Sequence, residues 1–144
     1  MTSVADINRG VKTSLHQLAD EILKSFLQEA TQHKTTLINN ISPKIQIPGN
    51  VYAIASVING ILAAVVSNSS ESAIAISAKE TYSGTIEVNV RDENCYDAYA
   101  LALSLQPVVS LSKKMGGQLF IMHQQKKITT ITFRFTVSTE ELFG

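Results

Sequence analysis

Residues 115–137 read MGGQLFIMHQQKKITTITFRFTV. Gly116 and Gly117 open the stretch. Glycine takes the left-handed backbone that closes helices, so the pair predicts the end of a preceding helix. Two extended runs rich in β-branched and aromatic residues follow, and they turn near residues 124–127, which predicts a closing β-hairpin.

Upstream, residues 99–114 read as the helix that the glycines end, with Leu101, Leu105, Val108 and Met115 on one side. Pro107 lacks the N–H that a helix interior needs, so it is expected in the first turn or at a kink. Before that helix, AIAISAKET and TIEVNVRD alternate apolar and polar residues around YSG, a hairpin pattern. Residues 51–66 form a helix with Ile54, Ile58, Ile61, Leu62 and Val65 buried, and Asn50 as its cap. SPKIQIPGN reads as a loop punctuated by Pro43, Pro48 and Gly49, and KTTLINNI as a short strand. Residues 11–33 read as one amphipathic helix, since Leu15, Leu18, Ile22, Phe26 and Ala30 fall on one stripe. The order is helix, strand, helix, two strands, helix, two strands. Three helices cannot cover both faces of such a sheet. The expected fold is a two-layer α+β sandwich: a mixed, mostly antiparallel sheet of about five strands with three helices on one face.

The chain has 144 residues, 44% hydrophobic and 17% charged, which suits one domain with one core. Its formal net charge of zero gives no electrostatic case for nucleic acid or an anionic membrane surface. The longest apolar run, residues 60–66, is too short to span a bilayer, and the first ten residues lack a signal-peptide pattern. A cytoplasmic protein is the simplest expectation. Cys95 is alone, which excludes an intrachain disulfide, and it reads as a small buried residue.

This element order, with MGGQLFI before a terminal hairpin ending in TFRFTV, resembles the ATP-binding domain of sensor histidine kinases, of the Bergerat-fold superfamily. LHQLADEILKSFLQEATQHKTTLINNI looks like that family's first helix and strand. VYAIASVINGILAAVVSNS resembles its asparagine-motif helix, and AIAISAKETYSGTIEVNVRDEN the hairpin leading to its aspartate–glycine motif. The resemblance implies one histidine kinase-like ATPase domain over residues 1–144. It also says which residues the family's chemistry needs.

The family's asparagine helix holds a magnesium ion through side-chain oxygens, as a hard cation requires. Aligned by its apolar face, the helix here has Gly60 and Ala64 at those positions, and neither has a side-chain oxygen. Asn59 lies about 100° away round the helix. In the Asp-x-Gly-x-Gly motif, Asp92 matches the residue that meets adenine, while Asn94 and Tyr96 replace the glycines. The family's phosphate-cradling Gly-x-Gly-x-Gly turn falls on Ala100, Ala102 and Ser104, counted back from Gly116 and Gly117. Seven residues, 93–99, stand where the family has a long lid. The lid is expected to be deleted.

The resemblance therefore implies a degenerate domain that binds neither ATP nor magnesium, has no catalytic residue or metal ligand, and acts by binding a protein in bacterial signal transduction. Asp92 would be a vestigial adenine contact whose loss leaves the fold intact, and Gly116 and Gly117 a retained but structural motif. The partner would meet apolar surface at Tyr96, Tyr99 and Leu103, with a second copy of the chain as one candidate; the opposing expectation is that these residues fold inward and fill the cleft. Two other readings stay open: a kinase of the anti-sigma-factor type, and a magnesium-independent small-molecule sensor. His16, His33 and His123 read as solvated surface residues, and no triad, zinc or Walker signature is present.

Overall fold

A computed structural model describes residues 12–48, 51–81, 84–124 and 127–137 of the chain. Its elements run β1 (Lys12–Ser14), α1 (Leu15–Lys24), α2 (Leu27–Gln32), β2 (Thr36–Asn39), β3 (Gln46–Pro48), α3 (Val51–Ser67), β4 (Ala73–Glu80), β5 (Thr85–Asp92), α4 (Ala98–Lys114), β6 (Gln118–His123) and β7 (Thr129–Thr136). The main sheet has five strands in the order β2-β4-β5-β7-β6. Only the β2–β4 pair is parallel; the other three pairs are antiparallel. The expected mixed, mostly antiparallel sheet is the one observed.

Period-2 alternation puts one face of this sheet into the core. Ile74 and Ile76 of β4, Ile86, Val88 and Val90 of β5, and Ile131, Phe133 and Phe135 of β7 are all buried. The register sets them side by side, Ile76 against Val90, Val90 against Ile131, and Val88 against Phe133. Leu15, Ala19 and Leu23 of α1, Ile54, Val57, Ile58, Ile61, Leu62 and Val65 of α3, and Leu101, Leu105 and Val108 of α4 belong to the same cluster. The opposite face carries Glu87, Arg134 and Lys79, joined by ion pairs of 2.9 and 3.6 Å, so it meets water. Among the described residues no helix is long and apolar enough to cross a membrane.

Two local expectations are corrected. The single helix over residues 11–33 is two helices, and Val11 lies outside the described residues. The Ile22 carbonyl accepts both the Ser25 amide, at 3.1 Å, and the Ser25 hydroxyl, at 2.6 Å. The Phe26 amide likewise bonds the carbonyl three residues back, Leu23, at 3.0 Å, so the end of α1 tightens into 3₁₀-type bonds. A helix thus becomes a tight turn and restarts at Leu27, and the sheet is covered by four helices, not three. Second, SPKIQIPGN is not all loop: Gln46–Pro48 pairs antiparallel with Lys12–Ser14 and buries Ile47. Of the two places expected for Pro107, the first turn is not the one observed: the residue sits in the interior of α4, which starts at Ala98. The Leu103 carbonyl loses its helical donor there, on an exposed side of the helix where water can replace it. Asn50, expected as the α3 cap, lies outside the described residues.

Candidate functional site

Asp92 is the last residue of β5 and is 1% exposed. Its Oδ1 accepts a short hydrogen bond from the Ser72 hydroxyl and another, of 3.0 Å, from the Asn94 amide. Its Oδ2 is buried and has no hydrogen-bond partner among the described residues. A buried acceptor in that condition costs free energy unless a donor reaches it. The expectation that Asp92 is dispensable for the fold is therefore revised. The carboxylate pins the start of β4 to the end of β5; its loss would remove the short acceptor of the Ser72 hydroxyl and one of two acceptors of the Asn94 amide, which also reaches Ser72 Oγ at 3.1 Å.

The connection from β5 to α4 is five residues long, 93–97, and is tied down along its length. Asn94 donates through Nδ2 to the Ser70 carbonyl at 3.0 Å and to the Tyr96 hydroxyl at 3.1 Å. Cys95 is buried as expected, forms a bridge with Ser69, and donates its amide to the Lys127 carbonyl at 2.7 Å. Tyr96 does not enter the cleft. Its ring lies under the Lys127 ammonium, 4.5 Å from the centroid, and the residue is 55% exposed. Asp97 then caps α4, its Oδ1 accepting the Ala100 amide at 3.0 Å.

That cap decides the chemistry of this end of the molecule. Ala100, Ala102 and Ser104 lie inside α4. From Ala102 onward the backbone amides point back along the helix to carbonyls four residues earlier. The Ser104 hydroxyl donates to the Ala100 carbonyl at 3.0 Å and receives Asn68 Nδ2 at 3.3 Å, which joins α4 to the end of α3. One turn further, α4 presses on α3 at Gly60. A Cβ on Gly60 would stand 2.8 Å from Val108 Cγ2. Ala64 is buried, and Asn59 is exposed. Sequence reasoning found Gly60 but missed its partner Val108, because the pairing of two helices is not written in either one.

Gly116 and Gly117 close α4. Gly116 has φ +82°, and its amide reaches the Lys113 carbonyl at 3.0 Å, while the Gly117 amide reaches Ser112 at 2.8 Å. This pair of bonds is the Schellman arrangement, which satisfies carbonyls left over at the helix end. Gly117 has a second constraint: a Cβ there would meet Phe133 Cε1 at 2.9 Å and the Arg134 carbonyl at 3.0 Å.

Tyr99 and Leu103 are 75% and 48% exposed, whereas Leu101 and Leu105 of the same helix are fully buried. The apolar filling of the interior therefore comes from Leu101 and Leu105, and Tyr96, Tyr99 and Leu103 face outward. The histidines are held more firmly than expected. His16 and His33 are half-buried, and each gives Nδ1–H to a carbonyl, Ile41 at 2.6 Å and Val66 at 2.9 Å. His123 is exposed and bonds Thr129 Oγ1 at 2.6 Å. Among the described residues no three His, Cys, Asp or Glu side chains converge on a metal position.

No protein-family model matches the chain, and no curated protein does. Solved structures do. The histidine kinase AdeS of Acinetobacter baumannii aligns over 89% of this chain and 67% of its own, at 15% identity and a TM-score of 0.73. The nucleotide-free catalytic domain of histidine kinase ThkA aligns over 91% and 97%, at 10% identity and a TM-score of 0.71. ThkA in complex with the response regulator protein TrrA aligns over 90% of this chain and 42% of that one, at 12% identity and a TM-score of 0.71. The fold is that of a histidine kinase catalytic, ATP-binding domain. The chain spans about two thirds of the AdeS structure and 42% of the ThkA chain in the complex with TrrA.

Proposed function

We propose that this chain is a degenerate histidine kinase-type ATP-binding domain, with its lid deleted, that acts in the cytoplasm by binding a protein of a signalling pathway. It has neither kinase nor ATPase activity in this reading. The observation that carries it is the closure of α4 on α3. A phosphate-binding turn needs free backbone amides and room for the ligand. Here the corresponding residues are helical, the new helix start is capped by the Asp97 carboxylate, and Val108 occupies the space in front of Gly60. A carboxylate at a helix start satisfies the dipole that would otherwise attract a phosphate, and its charge repels one. Magnesium would find no side-chain oxygen from Gly60 or Ala64.

A protein partner is supported by the outward-facing Tyr96, Tyr99 and Leu103 beside the shortened connection, and by the likeness to a kinase caught with its response regulator. Aromatic side chains on a rigid element lose little entropy on docking. The kinase reading of the anti-sigma-factor type needs the magnesium and phosphate positions, and it ranks below. The magnesium-independent sensor keeps one specific support, the unpartnered Asp92 Oδ2, which an amino group of a small ligand would satisfy. The discriminating experiment is incubation with γ-labelled ATP and magnesium, alongside a thermal-shift series with ATP, adenosine and adenine. The proposal expects no labelled protein, no released phosphate and an unmoved Tm. Phosphate release establishes the enzyme; a Tm raised by adenine without magnesium establishes the sensor.

A further inference from the structure

β6 is the outermost strand of the main sheet. β7 pairs with one of its edges, and no described residue pairs with the other. Proteins blunt such edges with charge, proline, a bulge or brevity. β6 has none of these: its six residues QLFIMH carry no acidic or basic side chain except His123, and its register with β7 is unbroken. Phe120, Ile121 and Met122 are 44%, 40% and 60% exposed. The opposite edge, β2, has only four residues, and its last side chain, Asn39, is bound to the His16 carbonyl.

The hydrogen-bond phase of β6 says what can pair with it. Gln124 donates its amide to the Ile128 carbonyl at 2.7 Å, in the register that continues β6 and β7. Hydrogen-bonded and non-hydrogen-bonded pairs alternate along an antiparallel ladder. Gln118, Phe120 and Met122 therefore turn their backbone groups to β7. Leu119, Ile121 and His123 turn theirs to the open edge.

We propose that β6 pairs antiparallel with β6 of a second copy of this chain, about a two-fold axis at Ile121. This register is the one that uses all three outward residues. Ile121 faces Ile121 of the second copy, and Leu119 faces His123 in both directions, each pair exchanging two backbone bonds. Side chains fall face to face as well: Phe120 opposes Met122 of the second copy on the outer surface, a sulfur–aromatic contact. Centring the axis on Leu119 or His123 leaves outward groups of β6 unpaired. The zero net charge of the chain sets no general repulsion against the pairing. The result is one continuous sheet through both copies, with the helices of both on the same side. The inference is independent of the nucleotide reading.

Sedimentation equilibrium from micromolar to millimolar protein tests it. The expected result is a reversible dimer. Ile121→Lys sets two lysines against each other on the axis and raises the dimer Kd at least about tenfold; Ile38→Lys, on the other edge strand, leaves it unchanged. Cysteine variants read the register without depending on that charge. Residues paired on the axis have Cα atoms about 5.5 Å apart, within disulfide range. Ile121→Cys should therefore crosslink on oxidation. Gln118→Cys is six residues out of register with its mate, about 20 Å away, and should not. A monomer at every concentration, a dimer indifferent to Ile121→Lys, or equal crosslinking at both cysteines overturns the proposal.

Discussion

Replacing Gly60 by alanine sets two effects against each other. Gly60 is in the interior of α3, where alanine is favoured over glycine by about 1 kcal/mol. Unopposed, the substitution would stabilise the protein. The new methyl, however, would lie 2.8 Å from Val108 Cγ2 and 3.4 Å from Cγ1, against a comfortable carbon separation of about 3.5–4.0 Å. Valine is stiff about χ1, and Val108 is 7% exposed on a packed helix, so it has little room to turn away. Overpacking of this kind costs about 1–3 kcal/mol. The net expectation is that Gly60→Ala loses about 1 kcal/mol. Val108→Ala alone deletes two methyls and leaves a cavity, a loss of about 2 kcal/mol. Combined, the two changes relieve each other, so the double variant should be more stable than the additive value by about 1–2 kcal/mol. Urea unfolding followed by far-ultraviolet circular dichroism measures all four corners of the cycle. A Gly60→Ala protein that gains the full helix-propensity increment, with an additive double variant, would show that α4 does not press on α3 here.

Three other outcomes follow from the same packing. Asp92→Ala should destabilise by about 1–2 kcal/mol in urea, because it removes the buried hydrogen bond from the Ser72 hydroxyl and one acceptor of the Asn94 amide; an unchanged midpoint would mean that the carboxylate holds nothing. Gly117→Ala should cost more than Gly116→Ala, roughly 3 against 1 kcal/mol, because only Gly117 faces Phe133 and a strand carbonyl; equal thermal shifts would contradict the argument. The Tyr99→Ala, Leu103→Ser double variant should keep the fold within about 0.5 kcal/mol, since both residues are exposed, and should weaken binding in a pull-down with the cognate signalling protein. Unfolding of that variant, or undiminished binding, removes this surface from the account.

The parts of the fold carried by long periodic runs were legible. The residues of α3 and the two long hairpins repeat their spacing over enough positions to declare helix or strand, and the residues expected to be buried on α3 are buried. What escaped was set by a few local bonds or by distant partners. The α1–α2 break is a local turn of bonds to carbonyls three residues back, and the apolar stripe runs through it unaltered. β1 and β3 are three residues each, too short to show alternation, and exist because they pair with each other. At the candidate site, Asp92, Gly60, Gly116 and Gly117 were visible because the chemistry at their positions is demanding. Ser72, Asp97 and Val108 were not. Ser72 lies twenty residues from the carboxylate it bonds, and Asp97 is a cap because α4 starts at Ala98, one residue before the helix read from the sequence. The open edge of β6 has no signature in QLFIMH alone; it requires the strand order.

The most direct test of the central claim is an isothermal titration of the folded chain with ATP, repeated with and without magnesium. With Ala100, Ala102 and Ser104 inside α4 and no side-chain oxygen on Gly60 or Ala64, the expected result is no magnesium-dependent binding up to millimolar nucleotide. A magnesium-dependent Kd below about 1 mM, equivalent to roughly −4 kcal/mol, would contradict it.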